Sequence, residues 1–446
     1  MWRVMKDMLI NVRDLDRMTT QVFEQIHKCR LSRGRRCDSA NRMPGTVSNP
    51  PAVCLLISAF HPRVGGGETH ARLLGRELKA LGTPVFVLTR RHDASLPAHD
   101  VVDGVPVERV GPAGAPRLGK YLMLPATLAA LIRRRADYDI LYVCGLRVLG
   151  IAGMLAGLLL RKRVVLRAEA CGEWSGAFIT NSAPGEPVRL NPVVRALLAL
   201  RNSLYRKADR FLAISRVIRD EFRAGGLPDA RIATITNGID LASFQPPAPE
   251  ARARLRAQLG VSDAYVFAYA GKLNRGKGLE MLLRAWVPLA AREPRARLML
   301  IGGGGTQFLS CETELRSFVA ANQLDASVIF TGYTDRVADH LHAADAFVFP
   351  SENEALGLAL IEGMACGLPA LASATGGILD IIEDQRNGRL LPVGDEQAWR
   401  DAMLELMANP ETGRRWAEAG IRTAREKFAI RAVAREHIDL FRTITA

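Results

Sequence analysis

Residues 245–249 read Gln245-Pro246-Pro247-Ala248-Pro249, three prolines within four residues. Each proline fixes φ and removes a backbone donor, so the stretch reads as a stiff extended connector. The same alternation begins on both sides of it. Upstream, runs at 53–59, 85–89, 140–144, 164–167 and 211–214 predict strands, with helical patterns over 68–81 and around 195–206. Downstream, strands at 266–270, 297–301, 328–331, 346–349 and 370–373 alternate with helices at 279–291, 312–322, 358–366 and 377–383. This alternation predicts a parallel sheet covered on both faces, and it occurs twice. The expected architecture is therefore α/β, with two doubly wound domains at 51–245 and 250–430 facing each other across a cleft. A basic, disordered extension is expected at 1–50, and a C-terminal helix packing back on the first domain at 431–446.

Composition agrees with two full cores. The chain has 446 residues, 48% hydrophobic and 24% charged, which excludes a disordered, collagen-like or disulfide-scaffold protein. Seven cysteines are scattered, with no Cys-x-x-Cys and no Cys/His cluster at zinc spacing, so a reducing compartment and no structural metal are expected. Charge is unevenly placed: 37 Lys and Arg face 22 Asp and Glu in residues 1–250, against 23 and 24 in 251–446. A basic half suits nucleic acid, an anionic lipid surface or an acidic substrate, or is a solvated arginine-rich face. No recognised motif or aromatic interleaving supports nucleic acid. The longest apolar run, 148–160, is too short to span a bilayer and predicts a buried helix. The run 121–132, followed by Arg133-Arg134-Arg135, reads either as a core helix with a snorkelling end or as a helix lying on a membrane. Residues 1–50 hold Arg33-Gly34-Arg35-Arg36 and lack sustained periodicity.

In open α/β sheets ligands sit beyond the carboxyl ends of strands, so the loops there are where chemistry is sought. After the first strand comes Gly65-Gly66-Gly67-Glu68 at a helix start, where glycines let backbone N–H groups approach an anion. The spacing Gly65-x-Gly67-x-x-His70 lacks the third glycine of a dinucleotide fingerprint, which disfavours a nicotinamide or flavin enzyme. A second loop reads Gly271-Lys272-Leu273-Asn274-Arg275-Gly276-Lys277-Gly278. It differs from a Walker A motif by one residue, since Gly278 has no hydroxyl for Mg²⁺. Lys272, Arg275 and Lys277 remain able to neutralise a diphosphate at a helix N-terminus without metal. The run Gly302 to Gly305 reads mainly as a sharp turn. Asp137-Tyr138-Asp139 has the form of a cation-binding Asp-x-Asp but precedes a strand, so it reads as a surface turn. His61, His70 and His92 read as surface or packing residues.

The strongest constellation runs from Ser351-Glu352-Asn353-Glu354 through Gly357-Leu358 to Glu362, with Gly367 and Pro369 ending the helix. Glu354, in the loop, can accept hydrogen bonds from a polyol such as a sugar ring. Glu362, about a turn into the helix, can accept from a ribose diol while the helix N-terminus faces phosphates. An acidic residue inside an apolar helical run needs a partner.

These residues resemble the family-4 (group 1) glycosyltransferases of the GT-B architecture, over roughly residues 53–430. The family's E-x7-E element matches Glu354 and Glu362, and its G-R/K-L-x-x-x-K-G element matches Gly271-Lys272-Leu273 through Lys277-Gly278. Its Gly-Gly-x-Glu loop matches Gly65 to Glu68, and its Asn-Gly-hydrophobic-Asp signature matches Asn237-Gly238-Ile239-Asp240. Gly376-Gly377 and Asn387-Gly388 continue the likeness, and Ser215 falls where the family often has Ser after a strand. The resemblance implies two Rossmann-like domains, with a nucleotide-sugar donor held mainly by the second and a glycan or lipid-linked acceptor meeting the first. It implies that Lys272 and Lys277 hold the diphosphate, Glu362 the ribose and Glu354 the transferred sugar. Gly66 and Gly67 would close over the phosphate, with Gly357 and Leu358 at the helix start beside it. Glu354 and Lys277 are the implied catalytic residues. No metal and no cofactor are expected, the anomeric configuration is expected to be retained, and the leaving phosphate takes the acceptor proton. Lys272 replaces the commoner Arg, Ala355-Leu356 the usual Gly-Phe, and Glu362-Gly363 the usual Glu-Ala, which leaves the donor open. Rival readings are a nucleotide-sugar epimerase, a sugar phosphorylase, or a non-catalytic binding subunit on the same fold. The expected place is the cytoplasm, peripherally on an anionic membrane surface, in polysaccharide or cell-envelope synthesis.

Overall fold

The computed structural model describes residues 50–114, 119–180, 188–305 and 309–446. The basic extension lies outside these but for its last residue. The first strands are continuous apolar runs, which only burial on both faces accommodates. Val53, Cys54, Leu55 and Leu56 of β1 (Val53–Ile57) and Ile140 to Val143 of β5 (Ile140–Cys144) are fully buried. They pair in parallel at the centre of an eight-stranded sheet of order β3-β4-β2-β1-β5-β6-β7-β8. The other members are β2 (Val85–Arg90), β3 (His99–Val102), β4 (Val105–Val110), β6 (Arg163–Arg167), β7 (Arg210–Ala213) and β8 (Ile232–Thr234). Only β3 with β4 is antiparallel.

The second sheet is six-stranded and wholly parallel, of order β11-β10-β9-β12-β13-β14. Its strands are β9 (Tyr265–Ala270), β10 (Ala296–Ile301), β11 (Val328–Gly332), β12 (Ala346–Phe349), β13 (Ala370–Ser373) and β14 (Arg389–Leu391). In each sheet the first strand in sequence lies inside and the order reverses beside it, at β1/β5 and at β9/β12, which is where an open sheet leaves a crevice.

The helices are α1 (Gly66–Ala80), α2 (Gly119–Arg133), α3 (Val148–Leu160), α4 (Ala177–Thr180), α5 (Pro192–Tyr205) and α6 (Arg216–Ala224) in the first half. The second half has α7 (Pro249–Gln258), α8 (Leu279–Arg292), α9 (Glu312–Ala321), α10 (Val337–Ala343), α11 (Leu358–Ala365), α12 (Glu396–Ala408), α13 (Pro410–Lys427) and α14 (Ile430–Thr445). The chain crosses between the halves twice, side by side. Ile239 N–H donates to Phe428 O at 2.8 Å, and Ile430 N–H returns to Ile239 O at 3.1 Å. A Cβ on Gly238 would lie 2.5 Å from Ile430 Cα, so only glycine lets the crossings touch. Beyond the return, α14 packs against α1 and buries Val433, Ala434, His437, Ile438 and Phe441. His437 Nε2 meets Tyr142 Oη of β5 at 2.9 Å, so α14 is part of the first sheet's cover.

Two readings change, and a third, left between two alternatives, resolves to one of them. The 377–383 helix is a 3₁₀ turn, Gly376–Asp380, because Gly376 has φ +52° and a Cβ there would strike the Glu354 carbonyl. The 148–160 helix forms, yet Leu155, Leu158 and Leu159 face water, since only one of its sides meets the sheet. The 121–132 run is a core helix: Met123, Ala130, Leu131 and Ile132 are buried, and Arg133 and Arg134 both reach Glu108. Among the described residues no helix is long and apolar enough to cross a membrane.

Candidate active site

The β9–α8 loop carries Lys277 to the cleft. Gly276 and Gly278 both have positive φ, +81° and +68°, and a Cβ on Gly278 would run into the Pro350 carbonyl oxygen. The loop therefore requires glycine where a phosphate-binding NTPase requires Ser or Thr, which gives the Walker A departure a steric cause. Lys277 Nζ donates to Glu354 Oε2 at 2.7 Å. The Glu354 loop is itself fixed from behind, since Gly377 N–H donates to the Glu354 carbonyl at 2.9 Å. Gly357, at φ +107°, turns the chain from this loop into α11. The turn at Gly302 to Gly305 packs close: a Cβ on Gly302 would strike the Gly271 carbonyl, and Gly304 N–H donates to Glu312 Oε2 at 2.8 Å.

The wall opposite is the glycine loop before and within α1. A Cβ on Gly66 would lie 3.6 Å from Leu358 Cδ1, and one on Gly65 would lie 3.6 Å from Lys272 Nζ. Cys171 Sγ approaches the Glu354 carbonyl at 3.8 Å from the same side. Gly66, Leu358, Lys272, Lys277, Glu354 and Gly357 thus converge from both halves. Glu362 stands apart from that cluster. It is half-buried in the second turn of α11, and among the described residues no hydrogen bond or ion pair reaches its carboxyl group. Withdrawal from water pushes its carboxyl up to about 8.

Beneath the glycine loop lies a group of carboxylates. A Cβ on Gly67 would sit 2.7 Å from Glu169 Oε1, so Gly67 is where α1 rides over Glu169. Glu169 accepts from the buried Arg167 at 2.8 Å, and Arg167 also donates to Asn237 Oδ1 at 2.7 Å. Glu173 accepts from Leu146 N–H at 2.9 Å and from Arg147 Nε at 3.1 Å. Burial raises the carboxyls of Glu68 and Glu173, and the neighbouring Glu169 charge adds to both. The sequence places Glu169 and Glu173 just after a strand but gives no sign that they meet Gly67 and Gly145. A clasp at the cleft edge carries no local signal at all. Arg216, at the start of α6, pairs through Nε with Asp380, whose Oδ2 also accepts from Arg216 N–H at 2.6 Å. Among the described residues no group of three His, Cys, Asp or Glu side chains could hold a metal ion.

Comparison with known proteins follows the same division. Residues 64–243 match the family described as Glycosyltransferase Family 4, and residues 251–423 the one described as Glycosyl transferases group 1. The D-inositol 3-phosphate glycosyltransferase of Saccharomonospora viridis is 28% identical over 401 residues, 86% of this chain and 90% of that one. That of Xylanimonas cellulosilytica is 29% identical over 436 residues, 90% and 99% of the two chains. Among solved structures, Anabaena HepE in complex with UDP and glucose aligns with a TM-score of 0.73 at 19% identity, covering 88% of this chain and all of that one. Sucrose-phosphate synthase from Thermosynechococcus elongatus aligns with the same score at 25% identity, covering 88% and 99%. Two parallel-sheet halves meeting at a glycine-lined cleft, each matched by its own half of one enzyme family, make this chain a member of the family-4, group 1 glycosyltransferases of GT-B architecture, enzymes that transfer a sugar from a nucleotide-sugar.

Proposed function

We propose that the enzyme moves a sugar from a nucleotide-diphosphate-sugar to a hydroxyl of a glycan or lipid-linked acceptor, with retention of configuration, in envelope or polysaccharide synthesis. The observation that carries this reading is the Lys277–Glu354 pair at 2.7 Å, set where Gly66 faces Leu358. A diphosphate entering there would find Lys272 and Lys277 as counter-charges, together with the N-terminus of α11. Glu354 would orient the sugar hydroxyls, and Glu362 would accept from the ribose diol. Gly66 and Gly67 bring backbone rather than side chain against the phosphate. With two lysines supplying charge, no metal or cofactor is needed in this scheme, and added chelator is expected to leave the rate unchanged.

In the proposed step the anomeric carbon–phosphate oxygen bond breaks, and the acceptor oxygen bonds to the same face of that carbon. Its proton passes to the departing phosphate. Such a path asks for stabilised negative charge in a dry cleft rather than for a strong base. A second reading of the acceptor, a small phosphorylated cyclitol, is favoured by the activity for which the relatives are named. A UDP-sugar is the first donor to try, since UDP and glucose occupy the HepE crystal.

The test is a thermal-shift panel of nucleotide diphosphates and nucleotide sugars, followed by transfer to each acceptor class. A ligand that binds the folded state alone raises Tm. A shift with one donor, lost in Lys277→Ala and Glu362→Ala, is expected. A product of inverted configuration refutes the retaining step, and a panel with no shift refutes the donor site.

A further inference from the structure

Two helices on the N-terminal half carry apolar side chains that nothing in the described structure covers. In α5 the first residue to be buried is the last, Tyr205. Val193, Leu197 and Leu200 recur at i, i+4 and i+7, and leave 66%, 62% and 70% of their surface in water. The side of α5 that holds it to the protein is a neighbouring stripe. There Asn202 donates to Trp174 O at 3.0 Å and Tyr205 Oη to Arg147 O at 2.6 Å. Against α5 lies α3, with Leu155, Leu158 and Leu159 turned outward. Six large aliphatic side chains on two touching helices are more than the single exposed leucines that a soluble surface scatters.

The segment that carries this face is basic, although Asp139 and Asp209 pair with Lys162 and Arg163 at its edge. Residues 146–208, which contain both helices, hold ten Lys and Arg against three Asp and Glu. Two of those acids, Glu169 and Glu173, are committed to Arg167 and Arg147 in the cleft. Arg161, Arg189 and Arg195 are exposed and make no ion pair among the described residues.

We propose that the α3–α5 face docks on an anionic lipid bilayer, with its leucines and valine among the acyl chains and its arginines on headgroup phosphates. The choice of occupant rests on charge complementarity. A second copy laid face to face would bring two basic stretches together, whereas an anionic bilayer answers both the apolar stripe and the charge. The element is distinct from the 121–132 helix, whose apolar side is core. The inference concerns where the enzyme works, and it stands or falls apart from donor and acceptor because vesicle binding is read without substrate.

The experiment is co-sedimentation of the full chain with phosphatidylcholine vesicles, with and without phosphatidylglycerol. Binding is expected only to the anionic vesicles, weakening at high salt as the phosphates are screened. Leu197→Glu with Leu200→Glu alters two exposed positions, so Tm is expected to hold while the bound-to-free ratio falls by about tenfold. Absence of binding to anionic vesicles, or equal binding by the double variant, overturns the proposal. So does a dimer that the double variant dissociates, which makes a second copy the occupant. Hydrogen-exchange protection of 192–205 that needs no vesicles and is lost on deletion of residues 1–49 overturns it as well.

Discussion

Lys277 and Glu354 meet across two loops, one turned by Gly276 and Gly278 and the other held by the Gly377 N–H on the Glu354 carbonyl. The pair is partly buried, with 29% and 17% of the two side chains' surface exposed, and an ammonium aimed at a departing phosphate acts on the rate. Lys277→Ala is expected to lower kcat/KM by about 10²- to 10³-fold with Tm almost unchanged, measured by nucleotide release and by calorimetry. Glu362 behaves in the opposite way. Its carboxyl, raised to about 8 from an ordinary 4.5, holds a proton in the folded chain that the unfolded chain has already released. Stability is therefore lost as pH rises from about 4.5 and stays lost above about 8. Glu362→Gln removes that slope: its Tm relative to wild type is expected to climb from pH 5 to pH 8, and equal pH profiles would sink the idea. Glu354 and Glu362 stood out in the sequence as candidates, one in a loop and the other a turn into the helix that follows. What could not be read was the isolation of Glu362, because burial depends on helices and strands remote in sequence.

At the scale of elements, the sequence showed best what is apolar and long. The central strands and α8, α11 and α1 lie where their patterns put them, since a run buried on both faces has no other stable place. The β3–β4 hairpin was missed: its four-residue strand is half polar and largely in water, and its pairing with β4 is the local reason for it. β8 and β14, three residues each, are strands only because a neighbour offers a ladder. The β9–α8 loop supports a sharper prediction. Gly278→Ser completes a Walker A pattern on paper, yet it puts a side chain at φ +68° against the Pro350 carbonyl. The variant is expected to lose about 2 kcal/mol or more in urea unfolding and to gain no nucleotide hydrolysis.

For the molecule as a whole, the division at 245–249 was visible from prolines, whereas the contacts that hold the halves together were not. Arg216 is exposed and Asp380 partly buried; they are polar residues in unrelated segments, and only the meeting of the two halves makes them a clasp. Arg216→Ala and Asp380→Ala are each expected to widen the molecule in small-angle scattering and to raise the donor KM about two- to fivefold. The double variant should do no more than either alone, because both remove one interaction. The return of α14 has another consequence, for synthesis. The chain leaves the ribosome from its N-terminus, so the first sheet emerges long before Val433, His437 and Phe441 exist to cover it. The domain translated first is completed last, and a message cut short within its final codons strands both halves: the second intact, the first with Tyr142 and α1 bare.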